Sequence, residues 1–81
     1  GRVQLLEVPI TETDPAAQKQ VWEINLPKEV IIGCILRRDQ TLIPRGDTRI
    51  LAGDMLVLIS GNEQEEIAIL ELKGGEAKWR K

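Results

Sequence analysis

The chain has 81 residues, of which 42% are hydrophobic and 30% charged, so it has room for one domain with a thin core. Its 11 basic and 13 acidic residues give a net charge of -2, without the basic excess that is usual in nucleic-acid-binding domains. The lack of histidine excludes Ser-His-Asp and Cys-His catalysis, and no apolar run reaches the length of a membrane span.

The only aromatic residues are two Trp, so the core must be built from Ile, Leu and Val. A small aliphatic sheet often completes its burial by pairing with a copy of itself, and we therefore expect a homodimer. A single cysteine cannot form an internal disulfide, which fits a reducing, cytosolic setting.

The first predicted element is a strand over Val3–Ile10, with Leu5, Leu6 and Val8 as its apolar residues. Pro9 near its end indicates an edge position, because proline has no N–H to donate to a neighbouring strand.

A short helix is predicted next. Asp14 is suited to its N-cap and Pro15 to its first turn. Apolar residues then follow at spacings of four and three, as on one face of a helix: Ala17, Val21 and Ile24. Pro27 ends the helix, because proline disfavours the helical conformation in the residue before it.

Residues 30–60 contain three apolar runs separated by turn sequences, a pattern typical of a β-meander. The run Val30–Leu36 is apolar throughout and predicts a strand buried on both faces. Thr41–Pro44 predicts a short returning strand, and Met55–Ile59 predicts the last one. The turns contain Arg38-Asp39-Gln40, Arg45-Gly46-Asp47 and Ala52-Gly53-Asp54.

The segment 62–72 fits either a helix or a strand. Asn62 followed by Glu65 resembles a capping box, which favours the helix, whereas the alternation of Ile67 and Ile69 would suit a strand. The pair Gly74-Gly75 ends the segment. We expect a domain over residues 1–73 and a flexible tail over 74–81.

The polar and reactive side chains have simple structural interpretations. Cys34 lies within an apolar run and is expected to pack in the core rather than to react. The three turn aspartates are expected to bond to their own backbone, not to share a cation: Asp39, Asp47 and Asp54. Arg37 and Arg38 end a strand, and either is solvated or contacts an anionic ligand in a dimer cleft.

Four short motifs in one run of sequence carry a resemblance to a known family. They are Leu26-Pro27, the I-x-R-x-D hairpin from Ile35 to Asp39, the I-P-x-G-D-T segment from Ile43 to Thr48, and Ala52-Gly53-Asp54. In this combination the chain resembles the C-terminal domain of regulator-of-potassium-conductance proteins, also called the TrkA-C domain, over about residues 3–73.

The resemblance implies a fold and a role. The implied fold is α+β: a small β-meander sheet with one short N-terminal helix and one C-terminal helix, in the order β-α-β-β-β-α. Domains of this family lie in the cytosol and dimerise. They adjust a potassium channel, a potassium uptake system or a cation/proton antiporter, in the same chain or as a partner subunit, when a small ligand or ion binds. We therefore expect a regulatory domain at the inner face of the membrane, no enzyme activity, no metal and no nucleic-acid partner.

Family position implies which residues line the ligand cleft between the two copies. These are Ile31, Ile32, Arg37, Ile43 and Pro44. Some relatives bind cyclic di-AMP there, and they tend to have Ile-Arg where this chain has Leu26-Pro27, and Asn where it has Ile31. Pro27 and Ile31 supply neither the charge nor the amide, so the sequence argues against cyclic di-AMP and leaves another small ligand open.

A second interpretation belongs to a different class of protein. Short hairpins with P-x-G-D turns also occur in swapped-hairpin DNA-binding dimers of the antitoxin and transition-regulator type. Such binders need a positively charged face, and the acidic balance of this chain argues against that alternative.

Overall fold

The computed structural model describes residues 3–61 and 63–74. Along the chain, the elements are strand β1 (Val3–Pro9), a 3-10 helix (Val21–Glu23), strands β2 (Val30–Arg37), β3 (Gln40–Leu42) and β4 (Met55–Gly61), and helix α1 (Glu65–Lys73). The α+β class and the strand at each of the three longest apolar runs are confirmed.

The four strands form one antiparallel sheet in the order β1-β4-β2-β3. This order corrects the expected meander, because β4 lies between β1 and β2 and is not paired with β3. The reason is local: β3 is only three residues long, and the segment that follows it carries the chain back across to the far side of β2. The last strand is therefore one of the two interior strands of the sheet, together with β2.

The N-terminal helix also needs correction, because only the single 3-10 turn Val21–Glu23 is helical there. Gln18 has φ 74°, in the left-handed region, and Gln20 is extended, with φ -82° and ψ 153°. The amides in this segment bond across to another loop: Gln18 N–H donates to the carbonyl of Ile50, and Val21 N–H to that of Thr48. The predicted apolar residues Ala17, Val21 and Ile24 do pack against the core.

The core lies on one side of the sheet, which we call the inner face. Leu56 and Leu58 of β4 point there, and α1 contributes Ala68 and Leu72 to the same buried cluster. Three further members come from segments outside the strands: Ile10, Ala16 and Ile50. Half of the ten buried core residues thus come from the helix and the connecting segments, which explains how so short a chain closes over its sheet.

The opposite side of the sheet, the outer face, is mostly apolar, with Glu7 of β1 as a charged residue on it, and is uncovered by the described chain. The register of the strands places these residues on it: Leu5, Ile31, Cys34, Leu36, Val57 and Ile59. A β-bulge at Gly33 adds one residue to β2, so that Ile32 faces inward and Cys34 outward. Two expectations are therefore corrected: β2 is covered on one face only, and Cys34 is half-buried on the outer face rather than in the core.

The C-terminal segment is a helix over Glu65–Lys73, which decides between helix and strand for these residues. Gly74 is the C-cap, with φ 69°, and its N–H bonds the carbonyl of Leu70 at 2.7 Å, so the predicted glycine stop is confirmed. The predicted capping box of Asn62 and Glu65 is wrong, because the helix begins at Glu65 with Gln64 as its N-cap and without a side-chain cap bond. Residue 62 itself and the tail from residue 75 onward lie outside the described residues.

Candidate functional site

The most strongly bonded polar pair joins the end of β2 to the start of β4. Arg37 donates from Nε to Oδ1 of Asp54 and from Nη2 to Oδ2, each at 2.8 Å. This two-bond arrangement matches the planar fork of a guanidinium to a carboxylate. The side chain of Asp54 is 1% exposed and that of Arg37 29% exposed, so the carboxylate lies inside the protein and the guanidinium reaches toward its surface.

Both partners are also bonded to the loop that precedes β4. The amide of Leu51 donates to Oδ2 of Asp54 at 2.9 Å, and Nη2 of Arg37 donates to the carbonyl of Arg49 at 2.9 Å. The turn between Leu51 and Asp54 depends on Gly53, whose φ of 95° is strained for any residue with a side chain. The local sequence Ala-Gly-Asp thus turns the chain and aims the carboxylate at Arg37.

The electrostatics of this pair favour its charged form. Burial of Asp54 opposes ionisation, but the hydrogen bonds from Arg37 and from the Leu51 amide outweigh it and lower the pKa of Asp54 below 3.8. The hydrogen bond to Asp54 raises the pKa of Arg37 against a smaller opposing effect of burial. The pair is therefore ionised at neutral pH.

An open cleft of about 550 Å³ lies over this pair, at the tip of the β2–β3 hairpin. We call it the hairpin cleft, and its walls are residues 37–40 and 51–54. Arg37, Arg38 and Gln40 bring hydrogen-bond donors to it, and Asp39 brings acceptors. Such a lining suits the binding of a small polar molecule. In residues 3–61 and 63–74, no three His, Cys, Asp or Glu side chains are grouped to hold a metal ion.

The five side chains predicted to line a ligand site are spread over the two faces and one loop. Ile31 is 57% exposed on the outer face, whereas Ile32 packs against the core from the inner face. Arg37 lines the hairpin cleft. Ile43 is 74% exposed and Pro44 half-buried, both in the segment after β3. Of the five, only Arg37 lines the cleft formed by this single chain.

The sequence interpretation did not anticipate the role of Asp54, which it assigned to turn formation alone. The turn bond to Leu51 is present as expected, but the bonds to Arg37 join residues 17 positions apart. The only signal in the sequence is that an acidic residue precedes a strand while a basic residue ends another, which does not identify a pair.

Comparisons with known proteins place the chain in a family. A family model described as the TrkA-C domain matches residues 5–74. A Trk system potassium uptake protein TrkA homolog of Archaeoglobus fulgidus is 36% identical over 67 residues, which are 83% of this chain and 15% of that protein. The Trk system potassium uptake protein TrkA of Mycobacterium tuberculosis is 29% identical over 66 residues, 82% of this chain and 30% of that protein.

A solved structure shares the fold. It is described as "Structure of RCK domain with cda", and it superposes with a TM-score of 0.69 at 23% identity, covering 85% of this chain and 97% of that one. The chain thus spans from about a seventh to under a third of the length of the two uptake proteins. None of the helices in the described ranges is long and apolar enough to cross a membrane. The match over residues 5–74 shows that the chain belongs to the TrkA-C domain family.

Proposed function

We propose that this chain is the regulatory domain of a potassium transport system, which acts in the cytosol at the inner face of the membrane. The similar Trk uptake proteins support this role, and they are several times longer than the chain. The rest of such a protein, or a partner subunit, would supply the transport function. The domain itself would bind a small ligand and change the geometry of a pair of copies, without chemical conversion of the ligand.

The observation that carries this proposal is the apolar outer face. Leu5 is 69% exposed and Ile31 57% exposed, and both neighbour Ile59 across the strands. The three long strands present a surface of about 23 Å by about 14 Å, judged from the usual rise per residue and strand spacing. The largest apolar patch of a typical monomer is about 300–600 Å² and is often functional, so a mostly apolar face of this size is a candidate interaction site.

A second copy of the chain is the occupant that best fits this face. The surface is mostly apolar, and β2 has the composition of a strand covered on both sides although its own chain covers only one. Two outer faces packed together would cover β2 and β4 on both sides, as their sequences require.

Ligand control would then act through the dimer of two copies. The proposed contacts are Ile31, Ile32, Arg37, Ile43 and Pro44, of which Ile31 and Ile43 are well exposed and Arg37 offers a donor at the surface. A ligand that binds one arrangement of the two copies more tightly shifts the population toward that arrangement. The attached transport machinery would respond to that shift.

Sedimentation equilibrium tests the pairing. Ile31→Lys should convert the dimer to monomer, because it places a charge in the centre of the apolar contact. Ile67→Lys is the matched control, since Ile67 is 51% exposed on α1, away from the outer face. Cys34 provides a second measurement: its alkylation should slow as protein concentration rises. A wild-type chain that stays monomeric at high concentration, or equal effects of the two lysines, would contradict the proposal.

Thermal-shift measurements test ligand sensing separately. Cyclic dinucleotides including cyclic di-AMP, mononucleotides and divalent cations form the panel, and stabilisation by one of them that is lost in Arg37→Gln supports the proposed site. Duplex DNA at low salt is a further arm: salt-sensitive binding would instead favour the DNA-binding alternative.

A further inference from the structure

The guanidinium of Arg37 uses only part of its hydrogen-bonding capacity within the chain. Nε and one Nη2 hydrogen go to Asp54, and the second Nη2 hydrogen is directed to the carbonyl of Arg49. Among the described residues none accepts a hydrogen bond from Nη1. Two of the five N–H groups of Arg37 therefore remain for another partner, on a side chain that lines the hairpin cleft and is 29% exposed.

Asp54 is built as a fixed support for this guanidinium. Its carboxylate is 1% exposed, it accepts the amide of Leu51, and its own backbone is held by bonds with Leu51 and Ile10. The two parallel bonds to Arg37 determine the plane of the guanidinium as well as its position. A side chain with this many rotatable bonds would otherwise sample many orientations in the cleft.

We propose that Asp54 is a positioning residue for Arg37. By accepting hydrogen bonds from Nε and Nη2, it fixes the guanidinium so that Nη1 can donate to an anionic oxygen of a ligand in the hairpin cleft. This inference rests on the proposed ligand-sensing function and names the chemistry of the ligand. Arg38 and Asp39 also line the cleft and bring one charge of each sign. Recognition therefore depends on the free donors of the two arginines, for which the oxygens of a phosphate or a carboxylate are the matching acceptors.

The geometry favours an anion that joins the pair over one that displaces Asp54. Displacement would leave a carboxylate that is 1% exposed without its charged partner, and would also remove the link from Arg37 to the Arg49 carbonyl. An anion at Nη1 breaks neither bond. The ligand would therefore bind to a three-member arrangement of anion, Arg37 and Asp54, with the pair intact.

NMR of the arginine side chains tests this inference on the chain as it exists. Inorganic phosphate and acetate are titrated at constant ionic strength while the Nε–Hε and Nη resonances of Arg37 are followed. We expect saturable shifts of Nη1 with an unchanged Nε–Hε resonance, and the tighter of the two anions identifies the ligand class. A change of the Nε–Hε chemical shift toward the value of a solvent-exposed arginine would mean that Asp54 is displaced, and would overturn the inference. Absence of any shift at Arg37 would overturn it equally.

Two variants separate positioning from charge. Asp54→Asn and the matched control Asp47→Asn each remove one negative charge, the latter at an exposed turn. If Asp54 only neutralised Arg37, its loss would tighten anion binding. Positioning predicts the opposite: weaker binding by about tenfold in Asp54→Asn, with Asp47→Asn at or slightly above wild type. Equal or tighter binding in Asp54→Asn refutes the inference.

Failure of this inference can be distinguished from failure of the proposed function. If Asp54→Asn does not fold, the wild-type Nε–Hε measurement alone still decides between the bound pair and the displaced carboxylate. Dimerisation is measured separately by sedimentation, so a chain that dimerises and ignores both anions would disprove the role of Asp54 while leaving the regulatory proposal in place.

Discussion

Lys73, the last residue of α1, is bonded to Asp14, which lies 59 positions earlier in the chain, with Nζ 2.5 Å from Oδ2. The same ammonium donates to the carbonyl of Pro9 at 2.7 Å, and the amide of Thr11 donates to the Asp14 carboxylate at 2.8 Å. These bonds connect the end of β1, the following turn and the end of the helix. The pair holds α1 over the inner face of the sheet.

Replacement of Lys73 by Met should lower the free energy of unfolding by about 1–2 kcal/mol, because the largely buried carboxylate of Asp14 loses its charged partner while the apolar stem is retained. Urea denaturation measures the change. Lys28→Met is the control, since Lys28 is exposed in a loop. Equal stability of the two variants would show that the Asp14–Lys73 bond contributes nothing.

Stability should fall in acid. Burial opposes the ionisation of Asp14, but the bonds from Lys73 and Thr11 outweigh it and lower its pKa below 3.8, and Asp54 shows the same net direction. The unfolded chain therefore binds more protons than the folded chain in acid. The contribution of these two carboxylates to the free energy of unfolding is fully present above their pKa in the unfolded chain. It is lost as the pH falls through their lower pKa in the folded chain.

Urea midpoints measured from about pH 6 to about pH 2 check this acid dependence, with the unfolded pKa of Asp near 3.9 as the upper end of the window. Asp14→Asn should be less stable at neutral pH and should show a flatter decline. A wild-type midpoint that rises as the pH falls below the unfolded pKa would contradict the sign.

Gln18→Gly should stabilise the fold by about 0.5–1 kcal/mol. Gln18 has φ 74°, which costs a residue with a side chain roughly 1–2 kcal/mol and glycine almost nothing, although glycine loses more entropy on folding. Its backbone bonds to Ile50 and Arg49 are unaffected by the substitution. Lys19→Gly, at a neighbour without positive φ, should destabilise. A change in the free energy of unfolding with the same sign in both variants would contradict the explanation from the positive φ of Gln18.

Ile50→Ala should cost about 2–5 kcal/mol, the range for truncation of a buried aliphatic side chain. Ile50 is 0% exposed although it lies outside every strand and helix. Ile43 is the same residue type in the same connection but 74% exposed, and its truncation should change stability by less than about 0.5 kcal/mol. Thermal and urea unfolding of the two variants provide the comparison.

The sequence predicts the local elements better than their arrangement. Alternating or continuous apolar runs identify β1, β2 and β4, since a strand's side-chain period is visible over five or more residues. Nothing local indicates that β4 pairs with both β1 and β2, because the partners of β4 lie as much as 58 positions away in the pair Val3 and Gly61. Strand order depends on these distant contacts.

The N-terminal segment is predicted as a helix because its apolar spacing identifies buried residues but not the conformation that buries them. The spacing of Ala17, Val21 and Ile24 identifies residues that pack against the core, but an irregular loop buries them as well as a helix does. Its conformation depends on bonds with Thr48 and Ile50 that the segment's own sequence does not contain. For the site, position within the family indicated Arg37, whereas its partner Asp54 required the folded arrangement of two turns.

The central position of β4 has a consequence for synthesis on the ribosome. Strands β1 and β2 are each hydrogen-bonded to β4 and not to each other, so a nascent chain that ends before residue 55 can form little more than the β2–β3 hairpin. The sheet closes only when the last strand has emerged and inserted between two segments that are already present. The sheet of this domain therefore forms in nearly one step, after residues 55–61 have been synthesised. A product truncated before β4 would expose its aliphatic segments to proteases and chaperones.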